Sequence, residues 1–218
     1  MAMASRSPEA IEEASAGIDG ETRPFVADTA DLDRLEKLPA EVAEALGSPI
    51  DILVTNTGGP PFGGALDNTR EEWDAAYSSL VLAPQTLVAS ALPGMRERGW
   101  GRIVNVSSTS VREPIPGLTL SNAMRMAAVG FFKTLAGEVA GDGVTVNTVA
   151  TGRFATERLK DPSGSLEAAE EQARADVPAG RLGQPEEYGD LVAFLCSERA
   201  AYLTGAVIPL DGGALRSA

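Results

Sequence analysis

The sequence predicts a doubly wound parallel α/β sheet, because apolar strand segments alternate with amphipathic helix segments along all 218 residues. The clearest strands are nearly continuous apolar runs, a pattern typical of strands buried on both faces of a parallel sheet: IDILVTN, GRIVNVSS and GVTVNTVA. No internal repeat, linker or low-complexity segment interrupts the alternation. Residues 1–218 are therefore predicted to form one domain.

The N-terminal segments are predicted to form a helix, an edge strand and a second helix. Ser7 followed by Pro8 is typical of a helix N-terminus, since serine can cap the helix and proline tolerates its first position. Pro24 interrupts the following strand and indicates an edge position, because proline cannot donate a hydrogen bond to a central ladder. The next helix is expected to kink at Pro39.

The remaining segments continue the alternation. Thr69 and Glu72 stand in capping-box spacing at the start of a long helix that runs to Met95. Further helices are predicted within 120–140, 165–176 and 185–199. The apolar segment AVIPLDGG is predicted to close the sheet as its last strand.

Composition argues against several classes of function. The chain has 18 basic and 31 acidic residues, and its net charge of −13 disfavours binding to nucleic acid or to anionic membranes. The chain has no histidine, which excludes a histidine base or a Ser–His pair. Cys196 lies at helical spacing among apolar residues and is expected to be a buried thiol, so no metal site is predicted. Neither a membrane span nor a signal peptide is visible, and a cytoplasmic protein is expected.

Four segments resemble, in order, those of the short-chain dehydrogenase/reductase family: DILVTNTGG, GRIVNVSS, NTVATGRFAT and YLTGAVIPLDGG. The likeness is greatest to the bacterial 3-oxoacyl-carrier-protein reductases. The resemblance implies a Rossmann-like fold, NADP or NAD as the cofactor, and hydride transfer between nicotinamide and a small carbonyl or alcohol substrate. It also implies a homo-oligomer, a dimer or tetramer, formed through the helices at 69–95 and 120–140 and through the C-terminal strand.

The resemblance implies a set of cofactor contacts: Arg6, Asp28, Asn56, Gly58, Thr151, Gly152 and Thr156. Residues 1–50, however, contain no Gly-x-x-x-Gly-x-Gly turn, through which the family brings backbone against the pyrophosphate at a helix N-terminus. Three of these residues have simpler interpretations. Arg6 could be a solvated arginine, Asp28 could cap the helix that follows it, and Asn56 could belong only to a turn.

The N-terminus is expected to lack the family's first strand and first helix, since MAMASRS resembles the end of the family's second strand. In the family's strand order, the missing strand lies next to IDILVTN. Two arrangements remain: AMAS pairs with IDILVTN, or the sheet ends at IDILVTN as an open edge. We hypothesise that Met1 replaces an interior residue of a longer natural protein, and that the chain is truncated and impaired in cofactor binding.

The catalytic positions also differ from the family. The family uses a tyrosine as acid or base, a lysine that lowers the tyrosine pKa, a serine that steadies the substrate oxygen, and an asparagine that orders a relay water. Ser108 matches the serine. The residue 13 positions later, Ser121, stands where the tyrosine belongs, Arg125 replaces the lysine, and Leu80 replaces the asparagine.

These replacements do not reproduce the family's proton transfer. A tyrosine has a pKa of about 10, whereas a serine hydroxyl is a far weaker acid and an arginine stays protonated. Ser121 is instead expected to cap its helix.

The three tyrosines, Tyr77, Tyr188 and Tyr202, align with other parts of the family pattern, and none is an obvious replacement unless the sheet is rearranged. Two hypotheses remain. The chain is an NAD(P)-dependent oxidoreductase impaired in this form, or a non-catalytic oligomer subunit or interaction protein.

Overall fold

A computed structural model describes residues 1–156, 159 and 164–217 of the chain. Its strands are β1 Ala2–Ser5, β2 Arg23–Val26, β3 Ile52–Thr55, β4 Gly101–Val106, β5 Val144–Thr151 and β6 Val207–Leu210. Its α-helices are α1 Pro8–Ala16, α2 Leu32–Leu46, α3 Arg70–Tyr77, α4 Ala83–Arg98, α5 Thr119–Val139, α6 Leu166–Asp176 and α7 Pro185–Leu195.

The strands form two parallel sheets, which confirms the predicted fold class. β1 pairs with β2, and the second sheet has the order β3-β4-β5-β6. Helices connect the successive strands. Of the two arrangements expected at the N-terminus, the structure has the second: AMAS pairs with Arg23–Val26, and the larger sheet ends at β3.

The prediction that IDILVTN is buried on both faces is wrong for β3. Ile52 and Val54 are 46% and 42% exposed, whereas Val104 beside Val54 on β4 is 1% exposed. Val104 and Val149 pack with α7, while α1 contacts β1 and β2. β3 lies between these two helix-covered regions, so its side chains on that face remain in water.

The opposite face of the larger sheet carries the main core. α4 and α5 pack there against β4 and β5, and Met95, Phe132 and Val139 interlock with Ile103 and Val146. All five side chains are at most 1% exposed. Burying each such side chain contributes roughly 1.5–3 kcal/mol, so this layer fixes α5 on the strands whose ends form the site.

The long helix begins as predicted but is interrupted. Thr69 and Glu72 form a complete capping box, and a π-helical turn, Ser78–Leu82, separates α3 from α4. Residues Arg70–Arg98 are long and apolar enough to cross a membrane by length and composition. Residues of this segment such as Val88 are nevertheless buried in the core, so in this fold it packs as a core helix.

Local signals at the helix ends have mixed outcomes. The Ser7 side chain accepts a hydrogen bond from the Ala10 N–H and caps α1 as predicted. Pro39 lies inside α2 without ending that helix. Asp31 rather than Asp28 caps α2, because the Asp31 carboxylate accepts the hydrogen bond from the first helical turn.

Candidate active site

The carboxyl ends of β3, β4 and β5 lie at one edge of the larger sheet, and predicted site residues follow each of them. Val106 on β4 is level with Val149 on β5, and the Ser107 N–H donates to the Val149 carbonyl at 2.9 Å. Ser108 follows the end of β4 by two residues, and Thr151 is the last residue of β5, so both lie at this end of the sheet. The structure therefore places two residues that are 43 positions apart at the same end of neighbouring strands.

A buried polar row fixes the strands just below this edge. The Thr55 hydroxyl donates to the Asn105 side-chain oxygen at 3.2 Å, and the Asn105 amide donates to the Thr148 hydroxyl at 3.4 Å. All three residues are at most 5% exposed. Because such groups are costly to bury unpaired, the row holds the three strands in register beneath the site.

Ser121 and Arg125 interact with each other rather than standing free. The Arg125 Nε–H donates to Ser121 Oγ at 3.1 Å, and Arg125 Nη1 donates to the Val106 carbonyl at 3.2 Å. The guanidinium thus ties α5 to the end of β4. The expectation that Ser121 caps α5 is wrong, because the helix starts two residues earlier and Leu118 occupies the cap position. The buried Ser121 hydroxyl instead accepts the hydrogen bond from Arg125, one helical turn away.

Ser108 is half-buried at the start of a short 3-10 turn, Thr109–Val111. Its oxygen accepts a hydrogen bond from the Ser110 N–H at 3.1 Å. This contact uses an acceptor position and not the hydroxyl proton, which can still be donated to a substrate oxygen. Ser108 can therefore hold the backbone of the 3-10 turn and still serve as the predicted site residue.

Leu80 lies in the π-helical turn and is 2% exposed. This turn packs against α5. An apolar side chain at this position offers no donor or acceptor, so it cannot order a relay water. Leu80 therefore cannot take part in a proton relay as the family's asparagine does at this position.

A tyrosine that the sequence did not single out reaches the site edge. Tyr188 on α7 receives a hydrogen bond from the Thr151 hydroxyl, with the two oxygens 3.1 Å apart. Its ring packs edge-on against Phe154, with ring centroids 5.3 Å apart at 80°. The two bonded residues are 37 positions apart in the chain, and no local pattern in the sequence connects them.

Burial raises the pKa of the Tyr188 phenol above its ordinary value of 10. The hydrogen bond from Thr151 and the positive charge of Arg125 act in the opposite direction and lower this pKa, without offsetting the burial. The phenol is therefore protonated at neutral pH.

The predicted cofactor residues of the N-terminal half follow strand ends. Arg6 comes directly after β1, and Asp28, after β2, accepts a hydrogen bond from the Ala30 N–H at 2.9 Å. Asn56 after β3 and Gly58 beyond it are exposed, and a Cβ on Gly58 would meet no atom within 4 Å. Open space and exposed polar groups at strand ends fit one side of a dinucleotide.

The predicted cofactor residues of the C-terminal half lie where β5 ends. The Gly152 N–H donates to the Leu210 carbonyl at 2.9 Å, and a Cβ on Gly152 would lie 2.5 Å from the Asp211 Cα. Only glycine fits this approach. The exposed Thr156 donates its N–H to the Phe154 carbonyl at 2.8 Å. Part of the segment at 155–180 lies outside the described residues.

Comparison with known proteins places the whole chain in one family. Residues 1–214 match the profile of the family described as enoyl-(acyl carrier protein) reductase. Nodulation protein G of Azospirillum brasilense is 36% identical over 85% of this chain and 74% of its own length. Human dehydrogenase/reductase SDR family member 4 is 35% identical over 97% and 77%. The 3-oxoacyl-[acyl-carrier-protein] reductase FabG of Thermotoga maritima is 34% identical over 90% and 78%.

Solved structures show the same likeness. YwfH, an NADPH-dependent reductase involved in bacilysin biosynthesis, is 26% identical with a TM-score of 0.92, covering 100% of this chain and 89% of YwfH. L-sorbose reductase from Gluconobacter frateurii, solved with NADPH and L-sorbose, is 28% identical with a TM-score of 0.89, covering 100% and 87%. Both likenesses extend over every strand and helix described above.

Proposed function

Because this chain belongs to the short-chain dehydrogenase/reductase family, we propose that it is an NAD(P)-linked oxidoreductase of the 3-oxoacyl reductase type that is impaired in this form. It interconverts carbonyl and hydroxyl groups on a small substrate. The observation that carries the impairment is the hydrogen bond between Arg125 and Ser121, which occupies the two positions of the family's tyrosine and lysine. The relatives that reduce 3-oxoacyl groups support the reaction class.

The side chains at the carboxyl ends of the strands support the proposal that the reaction is slow. When bound, a reduced nicotinamide supplies the hydride. Ser108 donates its hydroxyl proton in a hydrogen bond to the substrate oxygen. Ser121 does not release a proton at neutral pH, and its oxygen already accepts the Arg125 Nε–H. Arg125 supplies positive charge but no transferable proton, and so the inherited positions bind and orient without acid–base chemistry.

Cofactor binding is proposed to be weak for a separate reason. Arg6, Asp28 and Asn56 would face the adenosine half, with Gly58 leaving room for the ribose. Thr151, Gly152 and Thr156 would serve the nicotinamide and diphosphate. Residues 1–50 contain no Gly-x-x-x-Gly-x-Gly turn, so these residues would not supply the backbone donors through which the family holds the pyrophosphate.

The test is a titration of NADPH and NADH into the pure protein, followed by nicotinamide fluorescence. Binding weaker than micromolar and slow reduction of acetoacetyl-CoA, a 3-oxoacyl thioester, are expected. Micromolar binding would contradict the proposed loss of cofactor affinity. The Ser108→Ala variant should be slower than the parent, whereas Ser121→Ala should match it. Equal rates for Ser108→Ala and the parent would show that the inherited serine does not contribute.

A second candidate function is a non-catalytic subunit of an oligomer. The observation that favours it is the open edge of β3, where Ile52 and Val54 expose apolar surface. In either case we propose one cytoplasmic domain, 1–218, that forms a homo-oligomer. Sedimentation velocity at several concentrations tests the assembly, and absence of any turnover in a stable oligomer would favour this second candidate.

A further inference from the structure

The site edge contains a phenol that the family's spacing does not supply. Of the three tyrosines, all within the described residues, Tyr202 is fully exposed and Tyr77 is 46% exposed. Tyr188 alone has its hydroxyl hydrogen-bonded to a predicted site residue, Thr151. Its ring is held against Phe154, so the phenol oxygen has a fixed position at the end of β5.

The direction of the Thr151 hydrogen bond leaves the phenol proton available. The Thr151 hydroxyl is the donor and the Tyr188 oxygen the acceptor, at 3.1 Å. The phenol proton is thus not consumed by this contact and can be donated to a different acceptor. A bond donated to the phenol oxygen also becomes stronger when that oxygen carries negative charge, so Thr151 favours loss of the proton.

The phenol shares this edge with the two other groups that the reaction needs. Ser108 follows the end of β4, and Thr151, the residue that holds Tyr188, ends the neighbouring strand β5. Arg125 is anchored on the Val106 carbonyl, two residues before Ser108. A hydroxyl donor, a phenol and a fixed positive charge thus lie at the same end of two neighbouring strands.

We propose that Tyr188 is the proton donor for carbonyl reduction at this site, in place of the residue at position 121. This inference rests on the proposed function. The carbonyl carbon gains a hydride from the reduced nicotinamide, which becomes oxidised, and the carbonyl oxygen takes the proton from the Tyr188 O–H. The phenolate that remains is stabilised by Thr151 and Arg125 and regains a proton from water. The net reaction converts one carbonyl, one reduced nicotinamide and one proton from solvent into one alcohol and one oxidised nicotinamide.

The protonation state fits this direction of reaction. Burial raises the pKa of Tyr188, so the phenol is a proton donor throughout the neutral range and a poor base. Reduction should therefore be independent of pH across the neutral range and fall only in alkaline solution, as the pH approaches the phenol pKa that burial has raised. Oxidation of an alcohol, which needs the phenolate, should be slow at neutral pH.

The decisive variant is Tyr188→Phe, which keeps the ring against Phe154 and removes only the hydroxyl. With saturating NADPH and acetoacetyl-CoA, kcat should fall by about 10²–10⁴-fold, the usual contribution of a general acid. KM and nicotinamide fluorescence should stay unchanged, and the alkaline limb of the pH profile should disappear. Tyr202→Phe is the matched control and should keep the parental rate, because that side chain is fully exposed.

A second readout does not depend on turnover. In a Tyr77→Phe, Tyr202→Phe background, ultraviolet absorbance of the phenolate titrates Tyr188 alone, and adding Arg125→Gln should raise its apparent pKa because the positive charge is lost. An unchanged titration overturns the proposal. So does a Tyr188→Phe enzyme within twofold of an active parent, which leaves the proposed function intact. A parent without turnover overturns both.

Discussion

Replacing Gly152 with alanine should destabilise the protein, because the glycine sits where β5 meets the segment after β6. An added Cβ would lie 2.5 Å from the Asp211 Cα and 3.1 Å from the Leu210 carbonyl oxygen. These are backbone atoms, and they cannot move aside cheaply. The Gly152 N–H is bonded to Leu210, and the Asp211 carboxylate accepts hydrogen bonds from Gly213 and Leu215.

Overpacking of this kind costs about 1–3 kcal/mol. For a chain of this size, each kcal/mol lowers Tm by roughly 2–4 °C, so Gly152→Ala should lose about 2–12 °C in a thermal melt followed by circular dichroism. Gly58→Ala is the matched control, since its Cβ meets nothing within 4 Å and should leave Tm unchanged. If the Tm of Gly152→Ala equals that of the parent, the close approach of Gly152 to Asp211 is refuted.

Three further outcomes are expected. Arg125→Ala should cost about 1–3 kcal/mol in urea unfolding, since it removes the hydrogen bonds that join α5 to β4; an unchanged midpoint would contradict this tie. The ion pair with Arg181 lowers the pKa of Glu187 from 4.5 to about 2. Its stabilising effect is therefore present above pH 4.5 and lost as the pH falls towards 2, so the Tm difference between parent and Glu187→Gln should vanish over that range. Phe132→Ala should cost about 3–5 kcal/mol in chemical denaturation, whereas the half-exposed Phe62→Ala should cost far less.

Features that depend on neighbours in sequence were predictable. The Ser7 cap and the capping box of Thr69 and Glu72 are confirmed, because each is a bond between a side chain and a backbone group within one helical turn. The buried strands β4 and β5 are confirmed for a similar reason. Their apolar residues continue through both faces, and helices cover both faces at the centre of the sheet.

Features that depend on distant elements were not predictable from local pattern. The apolar residues of β3 gave the same signal as those of β4, yet Ile52 and Val54 are exposed because α1 and α7 cover other strands. The π-helical turn at Ser78–Leu82 likewise has no sequence signal in the cap and spacing rules. In both cases the sequence pattern was compatible with the predicted structure, and packing against distant elements determined the observed one.

The same distinction between local and distant features applies to the candidate site. Counting from Ser108 identified which residues stand at the inherited positions, and Arg125 and Ser121 do meet there. Counting could not identify Tyr188, because its relation to Thr151 comes from the fold and not from spacing. Proton transfer at the carboxyl ends of the strands depends on the position of the donor oxygen and on the charges near it, not on which helix carries the donor residue. A missing motif residue is therefore evidence about that one position in the chain. Whether the site lacks a proton donor has to be judged from all the side chains at the carboxyl ends of the strands.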